Sequence, residues 1–214
     1  MRALGLALFI ALVAFAAGCG GDDDDSGGSG DTTAAAGECE SVESPSPREP
    51  ETHEVPSEPL DASREHALVV ETSCGSFTID LDREQAPETT ASLVTLASDG
   101  YFDDTMFHRV VPGFVIQGGD PTGTGAGGPG YTTVDVPAAG SRYVRGVVAM
   151  AKSGAEPPGS AGSQFFVVTG EDAGLPPEYA IVGEVTEGLD TLDRIDALGI
   201  GDGPPSQPVV ITTI

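Results

Sequence analysis

Beyond Ala67 the apolar residues of this chain come in short runs, each cut off by turn-forming residues, and that punctuation restricts the fold more than any other feature. The runs are Leu68-Val69-Val70, the alternating Phe77-x-Ile79-x-Leu81, Val110-Val111, Phe114-Val115-Ile116, Val147 to Met150, Phe165 to Val168 and Ala180-Ile181-Val182. Runs this short suit buried strands, because a helix needs about 10 residues or more. The first two flank Ser73-Cys74-Gly75, which predicts a β-hairpin. Two segments read differently. Ala86-Pro87-Glu88 opens a helix, with proline where its missing N–H costs nothing and Glu88 complementing the dipole. Ala91, Leu93, Val94 and Ala97 give it an apolar stripe, and Gly100 ends it. Leu189, Leu192 and Ile195 mark a second helix that stops at Gly199, and Pro208 to Ile214 reads as a last strand. Many short strands with two helices predict a mainly β protein, a closed antiparallel barrel.

The chain upstream is of another kind. Residues 1–18 read as a signal peptide: Arg2 supplies the positive charge, and Ala3 to Ala17 is apolar except for Gly5. Fifteen helical residues reach about 23 Å, short of the roughly 30 Å needed to span a bilayer. Ala16-Ala17-Gly18-Cys19 looks like a bacterial lipobox, which predicts lipidation of Cys19 and an extracytoplasmic protein anchored to the membrane. Cleavage after Ala14-Phe15-Ala16 is the alternative and would release a secreted protein.

Residues 19–63 are predicted to be a disordered acidic linker. They hold the Asp22 to Asp25 run, a Gly/Ser tract, and prolines at 45, 47, 50, 56 and 59. Composition matters here. The chain has 34 acidic and 9 basic side chains, a formal charge of −25. Residues 20–63 alone carry 13 acidic residues against one basic, Arg48. A flexible coil of that length spans about 35–40 Å, and charge repulsion extends it. Such a balance excludes nucleic acid as a partner and excludes a polybasic grip on lipid. No Asp-x-Asp-x-Asp-Gly loop accompanies the Asp run, so it reads as a solvated spacer and not a calcium site. With Cys19 lipidated, Cys39 and Cys74 remain. Export permits them to pair, tying the linker's end to the first hairpin; the alternative is two unrelated thiols.

Within the domain predicted over 64–214, three stretches are more specific than any pattern. They are Phe107-His108-Arg109-Val110-Val111-Pro112-Gly113-Phe114-Val115-Ile116-Gln117-Gly118-Gly119-Asp120, then Gly146 to Ala151, then Gly162-Ser163-Gln164-Phe165-Phe166. In this order they resemble the cyclophilin family of peptidyl-prolyl cis-trans isomerases, over essentially the whole domain from Leu68. The resemblance implies an eight-stranded β-barrel capped by two helices, with X–Pro isomerase activity, and the leader makes exported proteins the expected substrates. It implies a catalytic role for Arg109, with Gln117 beside it. Phe114 and Phe166 match the aromatic walls of a proline pocket, and Leu175 another of its walls. Ala151 and Gln164 match the groove that takes the peptide backbone. The chain departs from the family pattern at Val115 (often Met), Lys152 (commonly Asn), Gly174 (Trp in eukaryotic members) and Tyr179 (often His). Val115 and Tyr179 still suit the pocket, and Lys152 is placed to affect the residue before proline. Gly174 removes an indole that belongs to the cyclosporin site.

The resemblance implies proline-containing polypeptides as partners, a monomer, and no cofactor. A proline-binding module or holdase is the alternative function. A solute-binding lipoprotein is a third, but one 151-residue barrel lacks the usual two lobes. Three scattered histidines without a Cys-x-x-Cys motif give no metal site. His108, next to Arg109 on a strand, should face the other way and serve structure. Gly123-Thr124-Gly125-Ala126-Gly127-Gly128 satisfies G-x-G-x-x-G, but Pro129-Gly130 follows where a dinucleotide fold needs a helix. It is predicted to be a loop bordering the groove. Arg109 is expected to stand out as a positive centre on a negative face.

Overall fold

The hairpin forms where the alternation predicts it. In the computed structural model, which describes residues 38–214, β1 (Ala67–Thr72) and β2 (Gly75–Leu81) pair antiparallel, with Val70 opposite Phe77 and Leu68 opposite Ile79. Leu68, Val70, Phe77, Ile79 and Leu81 are buried while Val69 stays half-exposed, the one-sided burial that period-2 alternation gives. The predicted signal peptide over 1–18, lipidation at Cys19 and the linker over 19–37 lie outside the described residues.

Helix α1 (Pro87–Ser98) starts with Pro87 in its first turn. It ends through Gly100, whose φ of 70° lets Tyr101 N–H return to the Leu96 carbonyl. Its buried face is only partly the expected apolar stripe. Thr89 N–H is taken by the Asp135 carboxylate at 2.7 Å, an acceptor from a distant loop satisfying a helix N-terminus.

Next come β3 (Thr105–Met106), β4 (Arg109–Val111), β5 (Val115–Gly118), β6 (Thr133–Val134), β7 (Val147–Met150), β8 (Ser160–Ala161), β9 (Phe165–Val168) and β10 (Ile181–Glu187). Helix α2 (Leu189–Asp196) and β11 (Val210–Thr213) complete the chain. Nine strands form one sheet in the order β3-β11-β1-β2-β10-β7-β9-β5-β4, and β6 and β8 make a separate pair. The fold is thus mainly β with two helices, and its nine-stranded sheet is a curled half-barrel, open between β3 and β4. The two edges, β3 and β4, are consecutive in the chain, with only Phe107 and His108 between them. Across that break the chain changes partner from β11 to β5, so the sheet curls round without closing its ladder.

The curl creates two apolar layers. Ile116, Val148, Met150, Phe165 and Val167 point into the main core with the hairpin and helix residues. The alternate residues Val115, Ala149, Phe166 and Val168 form a second cluster on the outer face. Strand β9 is consequently buried at all four positions.

The chain before the hairpin is tied to the domain. Cys39 and Cys74 are joined by a disulfide. From there residues 40–60 run along the domain. Glu40 N–H bonds to the Ser73 carbonyl at 2.7 Å, Arg48 N–H to Pro121 at 2.9 Å and His53 N–H to Pro129 at 2.9 Å. The Arg48 guanidinium donates to the Tyr101 carbonyl and lies over its ring, and Leu60 packs on the main core. The disordered spacer expected through residue 63 thus does not describe residues 38–60. Their prolines preset an extended backbone, and the N–H groups between them find carbonyls on the domain.

Candidate active site

The register of four strands sets out the site. Arg109 on β4 is opposite Gln117 on β5, Gln117 is opposite Phe166 on β9, and Phe166 is opposite Ala149 on β7. Residues directly opposite share a face and lie side by side. Arg109, Gln117 and Phe166 therefore form one row on the outer face. Val115 and Val168, each two positions along its strand, are opposite one another beside it.

This row opens into a cleft of about 260 Å³, lined by Arg109, Phe114, Val115, Gln117, Ala151, Lys152, Phe166, Leu175 and Tyr179. Nine of the ten residues expected to act in catalysis or binding are thus brought together. The tenth, Gln164, lines an adjoining groove of about 610 Å³ that shares Gln117, Ala151 and Lys152 with the cleft.

A hydrogen-bonded chain links the two spaces. Arg109 Nη1 donates to Gln117 Oε1 at 3.2 Å, Gln117 Nε2 to Gln164 Oε1 at 3.2 Å, and Gln164 Nε2 to the Gly127 carbonyl at 2.9 Å. The apolar wall is held from behind. Phe166 meets Tyr179 edge-on at 5.6 Å, and both pack on the fully buried Tyr143. Tyr143 Oη donates to the Tyr179 carbonyl at 2.8 Å and accepts the Tyr179 N–H at 3.0 Å. Burial pushes the Tyr143 phenol up, which keeps it a neutral donor. The Lys152 side chain is largely covered, with Nζ 3.4 Å from Glu178 and 5.4 Å from the centroid of the Tyr179 ring.

Arg109 is not the isolated positive centre expected. Asp202 holds it in a two-pronged ion pair, accepting from Nε at 2.5 Å and from Nη2 at 3.1 Å. The hydrogen bond from Arg109, and then its charge, keep the Asp202 carboxyl below the usual range. Lys152 brings a second cation to the cleft. No motif marked Asp202, which stands 93 residues from Arg109. Tyr143 was equally unmarked, in a stretch with no apolar periodicity.

The glycine-rich segment forms the outer rim, as a loop. Buried Asp120 organises it, accepting from Thr122, from Gly125 N–H at 2.7 Å and from Gly127 N–H at 3.1 Å. Gly127 leaves no room for a Cβ against that carboxylate. Burial alone would raise the Asp120 pKa, but the bonds from Thr122, Gly127 and Gly125 outweigh it and hold the carboxyl low. Because the folded pKa lies below the unfolded one, this stabilisation is complete above the ordinary carboxylate range of about 4. It is lost as pH falls through the lower folded value. Acid titration of unfolding, followed by circular dichroism, should show Asp120→Asn less stable than wild type at pH 7, with the gap closing below about pH 4. His108 does not line the cleft. It lies under Gly125 of this loop, and burial pushes its imidazole down.

Comparison with known proteins agrees with this geometry. The profile of the family described as cyclophilin type peptidyl-prolyl cis-trans isomerase/CLD matches residues 67–214. The chain belongs to the cyclophilin-type peptidyl-prolyl isomerase family. Among its curated relatives, peptidyl-prolyl cis-trans isomerase-like 1 of Aspergillus fumigatus is 40% identical over 132 residues, covering 60% of this chain and 80% of the relative. Peptidyl-prolyl cis-trans isomerase-like 3 of Mus musculus is 36% identical over 140 residues, covering 64% and 85%. A solved cyclophilin-type peptidyl-prolyl cis-trans isomerase of Cryptosporidium parvum superposes with a TM-score of 0.64 at 31% identity, over 70% of this chain and 96% of that one. The same protein has been solved in the presence of the dipeptide Ala-Pro. Both curated relatives named here are eukaryotic. The cyclophilin domain and the open half-barrel described above coincide.

Proposed function

We propose that this cyclophilin-family protein catalyses cis–trans isomerisation of X–Pro bonds in exported polypeptides, without covalent chemistry. The observation that carries the reading is a single cleft in which a guanidinium faces an apolar wall of Phe114, Val115, Phe166 and Leu175. Rotation about a peptide bond costs about 18–20 kcal/mol because resonance must be broken. For X–Pro the two end states differ by only about 0.5–1 kcal/mol, yet they exchange over tens to hundreds of seconds. At the twisted transition state the proline nitrogen becomes pyramidal and regains its lone pair. A donor aimed at that nitrogen stabilises the twisted amide more than either planar form. Arg109 offers several N–H donors in one planar fork. The apolar wall seats the proline ring and excludes water, which strengthens the contact. Gln117 positions the guanidinium or takes the substrate carbonyl, while Ala151, Gln164 and the glycine-rich rim receive the flanking peptide. X–Pro exchange measured on a short peptide with and without the full chain tests this; an unaltered exchange rate overturns it.

A second reading, a proline-peptide binding module with weak isomerisation, draws on the Asp202 pair, which occupies the Nε–Nη2 edge of the guanidinium. Titrating the peptide while measuring exchange separates the two, since a binding module saturates without accelerating.

The export reading rests on the leader, the Ala16-Ala17-Gly18-Cys19 sequence, and a disulfide that suits an oxidising compartment. Lipidation of Cys19 would keep a monomeric isomerase at the membrane surface. Cys19→Ser should move the protein from the membrane to the soluble fraction on cell fractionation. Equal membrane retention of the two forms refutes the anchor.

A further inference from the structure

Asp202 is the carboxylate in contact with Arg109, and nothing in the expected site included it. It stands on the loop between α2 and β11. Two backbone bonds fix that loop: Val110 N–H to the Gly203 carbonyl at 2.8 Å, beside Arg109 itself, and Ser206 N–H to Leu198 at 2.8 Å. The carboxylate takes Nε and Nη2, and Gln117 takes Nη1 from the other edge. A guanidinium has five N–H donors in one plane. Three are committed, so one on each terminal nitrogen is left for a substrate, in a plane clamped along both edges.

We propose that Asp202 is a positioning residue that fixes the guanidinium of Arg109 for isomerisation, an assignment that rests on the isomerase reading above. A free arginine side chain carries about 2 kcal/mol of rotamer entropy. Catalysis needs the donor already aimed where the lone pair develops. Two parallel N–H···O bonds supply geometry as well as energy. Holding the fold is a weaker account of the pair. The Asp202 side chain is 68% exposed, and pairs so exposed contribute little to stability. The low Asp202 carboxyl keeps the clamp ionised throughout the neutral range.

The test uses the full chain as wild type, Asp202→Asn and Asp202→Ala. Two readouts are taken: kcat and KM separately on an X–Pro peptide, and the ¹⁵N–¹H signal of the Arg109 Nε–H. Both variants are expected to lower kcat three- to tenfold and leave KM within twofold, because the apolar wall still seats the proline. The Nε–H signal should move to the position of a free arginine. Circular dichroism should show both variants folded. An active wild type whose variants keep the same or a higher kcat overturns the assignment alone. So does a fall in kcat with an unmoved Nε–H signal. A wild type that does not accelerate exchange overturns the isomerase reading, and this assignment with it.

Discussion

Arg109→Ala should lower kcat/KM for an X–Pro peptide at least tenfold while leaving the domain folded. The size follows from what the residue is asked to do. A tenfold loss corresponds to about 1.4 kcal/mol of transition-state stabilisation. Removing one preorganised donor from a water-excluded site elsewhere costs about 10²–10³ in rate. The lower bound is used because the Arg109 side chain is 30% exposed, so solvent screens part of its field. The fold should survive because Arg109 sits at the edge strand β4, and the β4–β5 ladder is made by backbone groups that the substitution leaves in place. Arg109→Lys sharpens the result. Lysine keeps the charge but lacks the planar fork that Asp202 and Gln117 grip, so it should recover little activity. Full activity in the lysine variant would mean that charge alone suffices. Unchanged kinetics in the alanine variant would remove the mechanism. Exchange spectroscopy on one peptide, with thermal unfolding as the control, reads all of these outcomes.

Much of this site was legible because its residues lie on strands whose alternation shows in the sequence. Phe165 and Phe166 are neighbours, and the period of two sends one to the core and the other to the cleft wall. The same period turns Arg109, Gln117 and Val115 to one face. Pro87 and Gly100 bracketed α1 because each has a conformational reason to stand there. What stayed hidden depends on distance along the chain. Asp202 meets Arg109, and Asp135 meets Thr89 46 residues away, only once the sheet has curled. The strand count differs for a related reason. Apolar runs count strands, but they do not reveal that Phe107 and His108 interrupt one of them. Strands of two residues, such as β3, β6 and β8, are too short to carry a period at all. The segment over 38–60 misled through composition. Proline and glutamate read as a solvated spacer, whereas its anchors are a single cysteine, one arginine and backbone N–H groups that composition does not weigh.

That segment carries the other large effect. Replacing both Cys39 and Cys74 by serine should destabilise the domain by about 3–4 kcal/mol, the chain-entropy estimate for cross-linking residues 35 apart. In a domain of this size that lowers Tm by roughly 6–16 °C. The loss should not stop at stability. Beyond the disulfide, the strap bonds to Pro121 and Pro129, and Thr52 packs against Gly130. These residues flank the glycine-rich rim, whose Gly127 carbonyl accepts from Gln164. Freed at Cys39, the strap would keep a few hydrogen bonds, the Arg48 contact with the Tyr101 ring and the Leu60 packing against the entropy of ordering some twenty residues, at about 1–2 kcal/mol each. The rim would lose its outer support while Asp120 still holds it from inside. KM should therefore rise more than kcat falls, because the rim borders the peptide groove and does not touch the guanidinium. Reducing the wild-type chain should reproduce both changes, and reoxidation should reverse them. Hydrogen exchange gives the direct check: amides 121–130 should exchange faster in the double serine variant, with amides of β5 and β9 unaffected. Equal protection of the rim in both forms would show that the strap lies on the domain without bracing it.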